Sequence, residues 1–175
     1  LDIRVIEDKD RAAVAAQLGR EPRAVRRVAH RCPCGLPDVV ETSPRLADGS
    51  PFPTLFYLTC PRAASAIGTL EASGLMREMQ ERLSSDPLLL EKYLSAHRDY
   101  RERRDAAARE DGLEPLAPGT QTAGGMPERV KCLHALVAHE LAAPGSNPFG
   151  HEALDLLPEW WRSGPCVAVS VEEEQ

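Results

Sequence analysis

Aromatic residues are scarce: three Phe, two Trp and three Tyr make up 5% of 175 residues, so the interior has to be built mainly from aliphatic side chains. No apolar run approaches the roughly 18 to 20 residues that cross a bilayer. Leu1-Asp2-Ile3-Arg4 also does not begin an apolar stretch of signal-peptide type. No membrane span is therefore expected, and a cytoplasmic location is. Positive charge is in the minority, with 21 Lys and Arg against 27 Asp and Glu and a formal charge of −6, which argues against a protein devoted to nucleic acid. There is no Cys-x-x-Cys knuckle, no P-loop Lys-Ser or Lys-Thr and no internal repeat.

What is present is an ordinary globular composition, 42% hydrophobic and 27% charged, over a length that suits one domain spanning 1–175. Fifteen Pro and 12 Gly predict many turns. Arg20, Arg23, Arg26, Arg27 and Arg31 crowd together with only Glu21 opposing them. Such a run is either a solvated strand edge or a contact for an anion or RNA.

A short helix is expected over 8–18, capped by Asp8 or Asp10 and stopped by Gly19. Strand-like segments follow at 25–31, 39–42 and 54–59, the first two separated by Cys-Pro-Cys-Gly-Leu-Pro. From 62 to 110 the chain reads as helices punctuated by Gly74 and by Asp86-Pro87, the latter a cap followed by proline at the first helical position. Residues 111–126 form a Gly, Pro and Thr-rich connection, too long for a simple turn and hence mobile or functional. A helix from Pro127 to about Ala142, a loop over 144–150, a short helix over 152–157 and a strand over 166–171 complete the reading. Strands first and helices after predict an α+β fold: a small antiparallel meander over about 25–60, which 166–171 could join, packed against several helices.

Five cysteines in a reducing compartment are poor disulfide staples, which leaves metal ligation, thiol chemistry or inert burial. An antiparallel meander brings Cys32, Cys34 and Cys60 to one end of the sheet, and a terminal strand starting at Cys166 could bring a fourth thiol there. If a helix starts at Pro127, Cys132 and His139 lie seven residues apart on one face, off the apolar stripe of Val130, Leu133, Val137 and Leu141. His134 falls nearer that stripe and is expected to make a structural hydrogen bond. The expected ligand set is therefore Cys32, Cys34, Cys60, Cys132, Cys166 and His139, with His30 and His134 as further site candidates. Soft thiolates of this kind suit zinc or an iron-sulfur cluster. Gly124-Gly125-Met126-Pro127 could expose backbone N–H groups to an anion, but an ordinary helix entry fits better.

Several stretches together resemble the bacterial family called domain of unknown function 501. They are Gln17-Leu18-Gly19-Arg20, His30-Arg31-Cys32-Pro33-Cys34-Gly35-Leu36-Pro37, the run from Pro51 to Pro61, and Val130-Lys131-Cys132-Leu133-His134-Ala135-Leu136-Val137-Ala138-His139. The resemblance continues through Asn147-Pro148 to Gly164-Pro165-Cys166-Val167. It implies no established activity. It does imply that Cys32, Cys60, Cys132, His134 and His139 belong to recurrent motifs, and gene neighbourhoods in the family suggest a partner in cell division or phosphate metabolism. Three functions are therefore in view. One is a metalloprotein with a structural, redox or regulatory centre. Another is a cysteine-dependent enzyme, with Cys132 or Cys60 as nucleophile and His139 or His30 as base. The last is an interaction module using the arginine patch or the 111–126 loop.

Overall fold

In a computed structural model, residues 6–169 are described. The chain runs α1 (Asp8–Leu18), β1 (Val25–Arg31), β2 (Pro37–Thr42), β3 (Phe56–Leu58), α2 (Pro61–Ala72), α3 (Leu75–Ser85), α4 (Pro87–Glu110), α5 (Leu133–Ala142) and α6 (Pro148–Leu156). The fold is α+β, with one three-stranded antiparallel sheet in the order β1-β2-β3. Gly19 ends α1 in the left-handed conformation at φ 70°, where a side chain would be strained. Asp86 caps α4 by accepting from the N–H groups of Leu88 and Leu89, with Pro87 behind it.

Alternation along the strands divides the interior into two layers. Val39, Phe56 and Leu58 face the main core, where they meet Ile67, Met79, Tyr93, Tyr100, Leu133, Leu136 and Phe149 from the helices. Val40, Tyr57 and Val28 face the opposite way and pack on Ile6, Val14 and Leu18, so α1 closes the second face. Four of the eight aromatics lie in the main core: Tyr100 meets Phe56 edge-on at 5.8 Å and Tyr93 meets Phe149 at 5.1 Å. The Tyr100 hydroxyl accepts from the N–H groups of Leu55 and Phe56, which fixes β3 against α4.

The arginine-rich strand is a binding edge within the protein. Arg26 pairs with Glu41, Glu110 and Asp111, Arg27 with Glu41, and Arg31 makes a bidentate pair with Asp10 at 2.9 and 2.8 Å. These pairs tie β1 to β2, to the end of α4 and to α1. The 111–126 connection is likewise anchored, since Leu116, Thr122 and Met126 are buried and Arg104 donates to the Gln121 carbonyl at 2.7 Å.

Three elements differ from expectation. Residues 166–169 form a bend and irregular chain rather than a strand, while 170–171 lie outside the described residues. The late helix begins at Leu133, not Pro127. Gly124 and Gly125 take positive φ there, and the amides that a helix would use are engaged elsewhere: Val130 N–H donates to Gln80 Oε1 and Lys131 N–H to the Gly124 carbonyl. Helix α6 conversely begins earlier than expected, because Asn147 Oδ1 accepts from Gly150 N–H at 2.9 Å and Pro148 occupies the first helical position. No described helix is long and apolar enough to cross a membrane.

Candidate metal centre

Because α5 starts at Leu133, Cys132 is its N-cap residue, with extended backbone at φ −151° and ψ 107°. His134 lies in the first turn beside it. Glu71 reaches the same place from the end of α2, which packs against α5. The donor atoms of Glu71, Cys132 and His134 lie within 4.8 Å of one another, and all three residues are half-buried.

Each carboxylate oxygen and each ring nitrogen has a defined partner. Glu71 Oε1 lies 2.7 Å from His134 Nδ1, and Oε2 accepts from Leu133 N–H at 3.0 Å, meeting one of the free amides at the helix start. His134 Nε2 donates to the Ala64 carbonyl at 3.0 Å. A carbonyl can only accept, so the proton on Nε2 is fixed. That leaves Nδ1, beside Glu71 and Cys132, as the position for either a second proton or a metal ion.

The electrostatics favour charge separation. Burial pushes the Cys132 thiol up, but its hydrogen bond with His134 and the Ala135 N–H outweigh burial and hold it below its ordinary value. The helix N-terminus favours the same thiolate. The hydrogen bond with Cys132 raises His134 to about 9, with burial opposing and the Ala64 carbonyl and Glu71 assisting. An imidazolium raised in this way contributes stability that is complete below its unfolded value of about 6.5 and is lost as pH rises through 9. The depressed thiol works in the opposite sense: its contribution is present above its ordinary value and lost as pH falls. Urea denaturation is expected to show a net loss of about 1 kcal/mol between pH 7 and pH 10, after allowing for solvent screening of a partly exposed pair. His134→Gln should flatten that decline; an equally steep curve in the variant would remove His134 as its source.

The other expected ligands lie elsewhere. Cys32 and Cys34 form one pair at the hairpin, where the Cys34 N–H lies 3.5 Å from Cys32 Sγ. Cys60, the N-cap residue of α2, forms another with Cys166, whose sulfur accepts from Gln17 Nε2 at 3.3 Å. The meander does bring these pairs to one end of the sheet, but Cys132 does not join them. Among the described residues, Glu71, Cys132 and His134 are the one group of three such side chains with donor atoms this close, so the expected cysteine cluster of iron-sulfur or all-thiolate type is not formed. Burial pushes Cys32 up to about 12 and Cys60 up to about 11, which keeps both as neutral thiols.

His139 is also not a ligand beside Cys132. With the helix starting later, Cys132 is not on the face assigned to it, and His139 is 0% exposed inside the core. Its Nε2–H donates to Asp99 at 2.8 Å, and its Nδ1 accepts from Asn147 Nδ2 at 3.2 Å. His134 makes the structural hydrogen bond expected of it, to the Ala64 carbonyl, and also faces Glu71 and Cys132, whereas His139 is held in the core. His30 is held by Asp38 through Nδ1 at 2.7 Å. Glu71 was not foreseen, because nothing local in α2 marks it and only the packing of α2 on α5 brings it to Cys132.

An α+β protein carrying a Cys-x-His pair at a helix start and a carboxylate from a second helix is the class these features define. Residues 28–155 match the family described as protein of unknown function (DUF501), and the chain belongs to that family. No curated protein and no solved structure matches the chain.

Proposed function

We propose that this protein binds one divalent transition metal of zinc type through Cys132 Sγ, His134 Nδ1 and one oxygen of Glu71. The convergence of these three donors within 4.8 Å carries the reading. A thiolate, an imidazole nitrogen and a carboxylate oxygen form a donor set that zinc accepts, and the hydrogen bonds to Ala64 and Leu133 supply the outer support that metal ligands require. Zinc-to-ligand distances of about 2.0 to 2.3 Å require the Nδ1 and Oε1 atoms to part by roughly half an ångström as the ion replaces the proton between them. Three protein ligands on a half-buried site leave a fourth position for water or an anionic group, the arrangement that lets zinc lower the pKa of bound water.

Elemental analysis after dialysis against micromolar zinc is expected to find about one ion per chain. Cys132→Ser and Glu71→Gln should each weaken binding by at least tenfold. Full zinc content in the Cys132→Ser, Glu71→Gln double variant would reject this site.

A second reading rests on the same pair without metal: the lowered Cys132 thiol beside a cationic His134 is a nucleophile of the thiolate–imidazolium type, oriented by Glu71. Iodoacetamide near pH 7 distinguishes the two. Fast labelling of Cys132 alone that persists with excess zinc supports the nucleophile, whereas protection by stoichiometric zinc supports the metal centre.

A further inference from the structure

Away from the Cys132 end of α5, its other end helps to line a half-open cavity of about 230 Å³ between the edge strand β1, α6 and the turn at Pro158–Trp161. His30, Pro33, Leu141, Leu154, Trp160 and Trp161 are among its walls. The two indoles meet edge-on with centroids 4.8 Å apart and present flat apolar surface. One polar group is held at this wall with particular care. Asp38, 0% exposed, fixes His30 from behind by accepting from Nδ1–H at 2.7 Å. In the neutral ring that leaves Nε2 as a lone pair, with no partner among the described residues.

We propose that this cavity binds a single-ring phenolic ligand, whose ring lies against the tryptophans and whose hydroxyl donates to His30 Nε2. The size selects one ring, since pockets for drug-sized ligands begin at about 300 Å³. The walls select an aromatic body, and the Asp38-oriented imidazole selects a hydroxyl that donates. A hydroxyl oxygen also accepts, and the Trp160 indole N–H is a buried donor without a partner among the described residues. Asp38 acts here as a positioning residue, setting the tautomer of His30 in the way a carboxylate sets a histidine base. The inference is independent of the metal centre, because it uses none of its residues.

The test uses p-cresol and toluene, which share a ring and differ in the hydroxyl. Both tryptophans of the chain line the cavity, so tryptophan emission reports on this site. Titration of the full chain with p-cresol is expected to shift the emission with half-saturation below about 1 mM, within the reach of so small a ligand. Toluene should bind at least tenfold more weakly, and His30→Phe should erase that difference. Equal affinity for the two ligands, or no saturable change, overturns the proposal. Should His30→Phe fail to fold, the comparison of the two ligands on the unaltered protein still decides, and an unchanged preference in a folded His30→Phe protein overturns the role of His30.

Discussion

Replacing His139 by alanine is expected to lower stability by about 3 to 4 kcal/mol, measured by urea denaturation at pH 7. The ring is fully buried, stacked on Phe56 at 6.0 Å and edge-on to Tyr100 at 5.2 Å, so its removal opens a cavity between β3 and α4. It also leaves the Asn147 Nδ2, which faces His139 from the cap of α6, with only the Met126 sulfur as acceptor. A gentler variant isolates the polar part. Asp99→Ala keeps the ring but leaves its Nε2–H without an acceptor, a loss of about 1 to 3 kcal/mol. Asp99 is held down to about 2, chiefly by its hydrogen bond with His139 against burial, with Arg103 adding to it. Its contribution is therefore present above the ordinary carboxyl value near 3.9 and lost as pH falls toward 2. Stabilities within 1 kcal/mol of wild type for both variants would contradict the assignment of His139 as a core linchpin.

Arg104 gives a prediction of similar size whose magnitude depends on the replacement. Its side chain is 1% exposed and donates through Nη1 to the carbonyls of Pro53 and Gln121, while Nε and Nη2 have no partner among the described residues. Burial pushes its pKa down. Arg104→Ala is expected to cost about 3 kcal/mol, because it leaves a large cavity and unpins the 111–126 connection. Arg104→Met should cost only about 1 kcal/mol, since it fills much of the space and relieves the desolvation of a poorly paired cation. Thermal and urea unfolding of the two variants should therefore separate by about 2 kcal/mol. A methionine variant no more stable than the alanine one would show that the cation, rather than the filled volume, holds this region together.

The sheet and the helix boundaries were legible because their signals are local. Gly19 stops α1, Gly74 separates α2 from α3, and Asp86-Pro87 opens α4, each through the conformational preference of a residue at the boundary itself. The meander was legible from three short strands joined by turn-rich sequence. The start of α5 was not, because the amides of Val130 and Leu133 are taken by Gln80 and Glu71, which lie 50 and 62 residues earlier. That shift of the helix start changes which histidine neighbours Cys132. Counting about 100° per residue from Pro127 pairs Cys132 with His139, whereas a helix starting at Leu133 leaves Cys132 outside and places His134 beside it. The candidate centre was therefore half visible: Cys132 and His134 stand close in sequence, while Glu71 and the carboxylates behind His30 and His139 arrive only through tertiary packing.

Where α6 crosses α5, Gly150 lies so close that a Cβ added there would sit 2.2 Å from the Leu136 carbonyl oxygen and 2.9 Å from Glu140 Cβ. The first obstacle is backbone, so no rotamer change removes it, and the helices themselves would have to part. Every one-base change that alters a glycine codon into another amino acid installs a Cβ. Position 150 is thus closed to gradual exchange: no conservative intermediate exists, and descendants of this sequence can vary the residues around the crossing far more freely than the crossing itself.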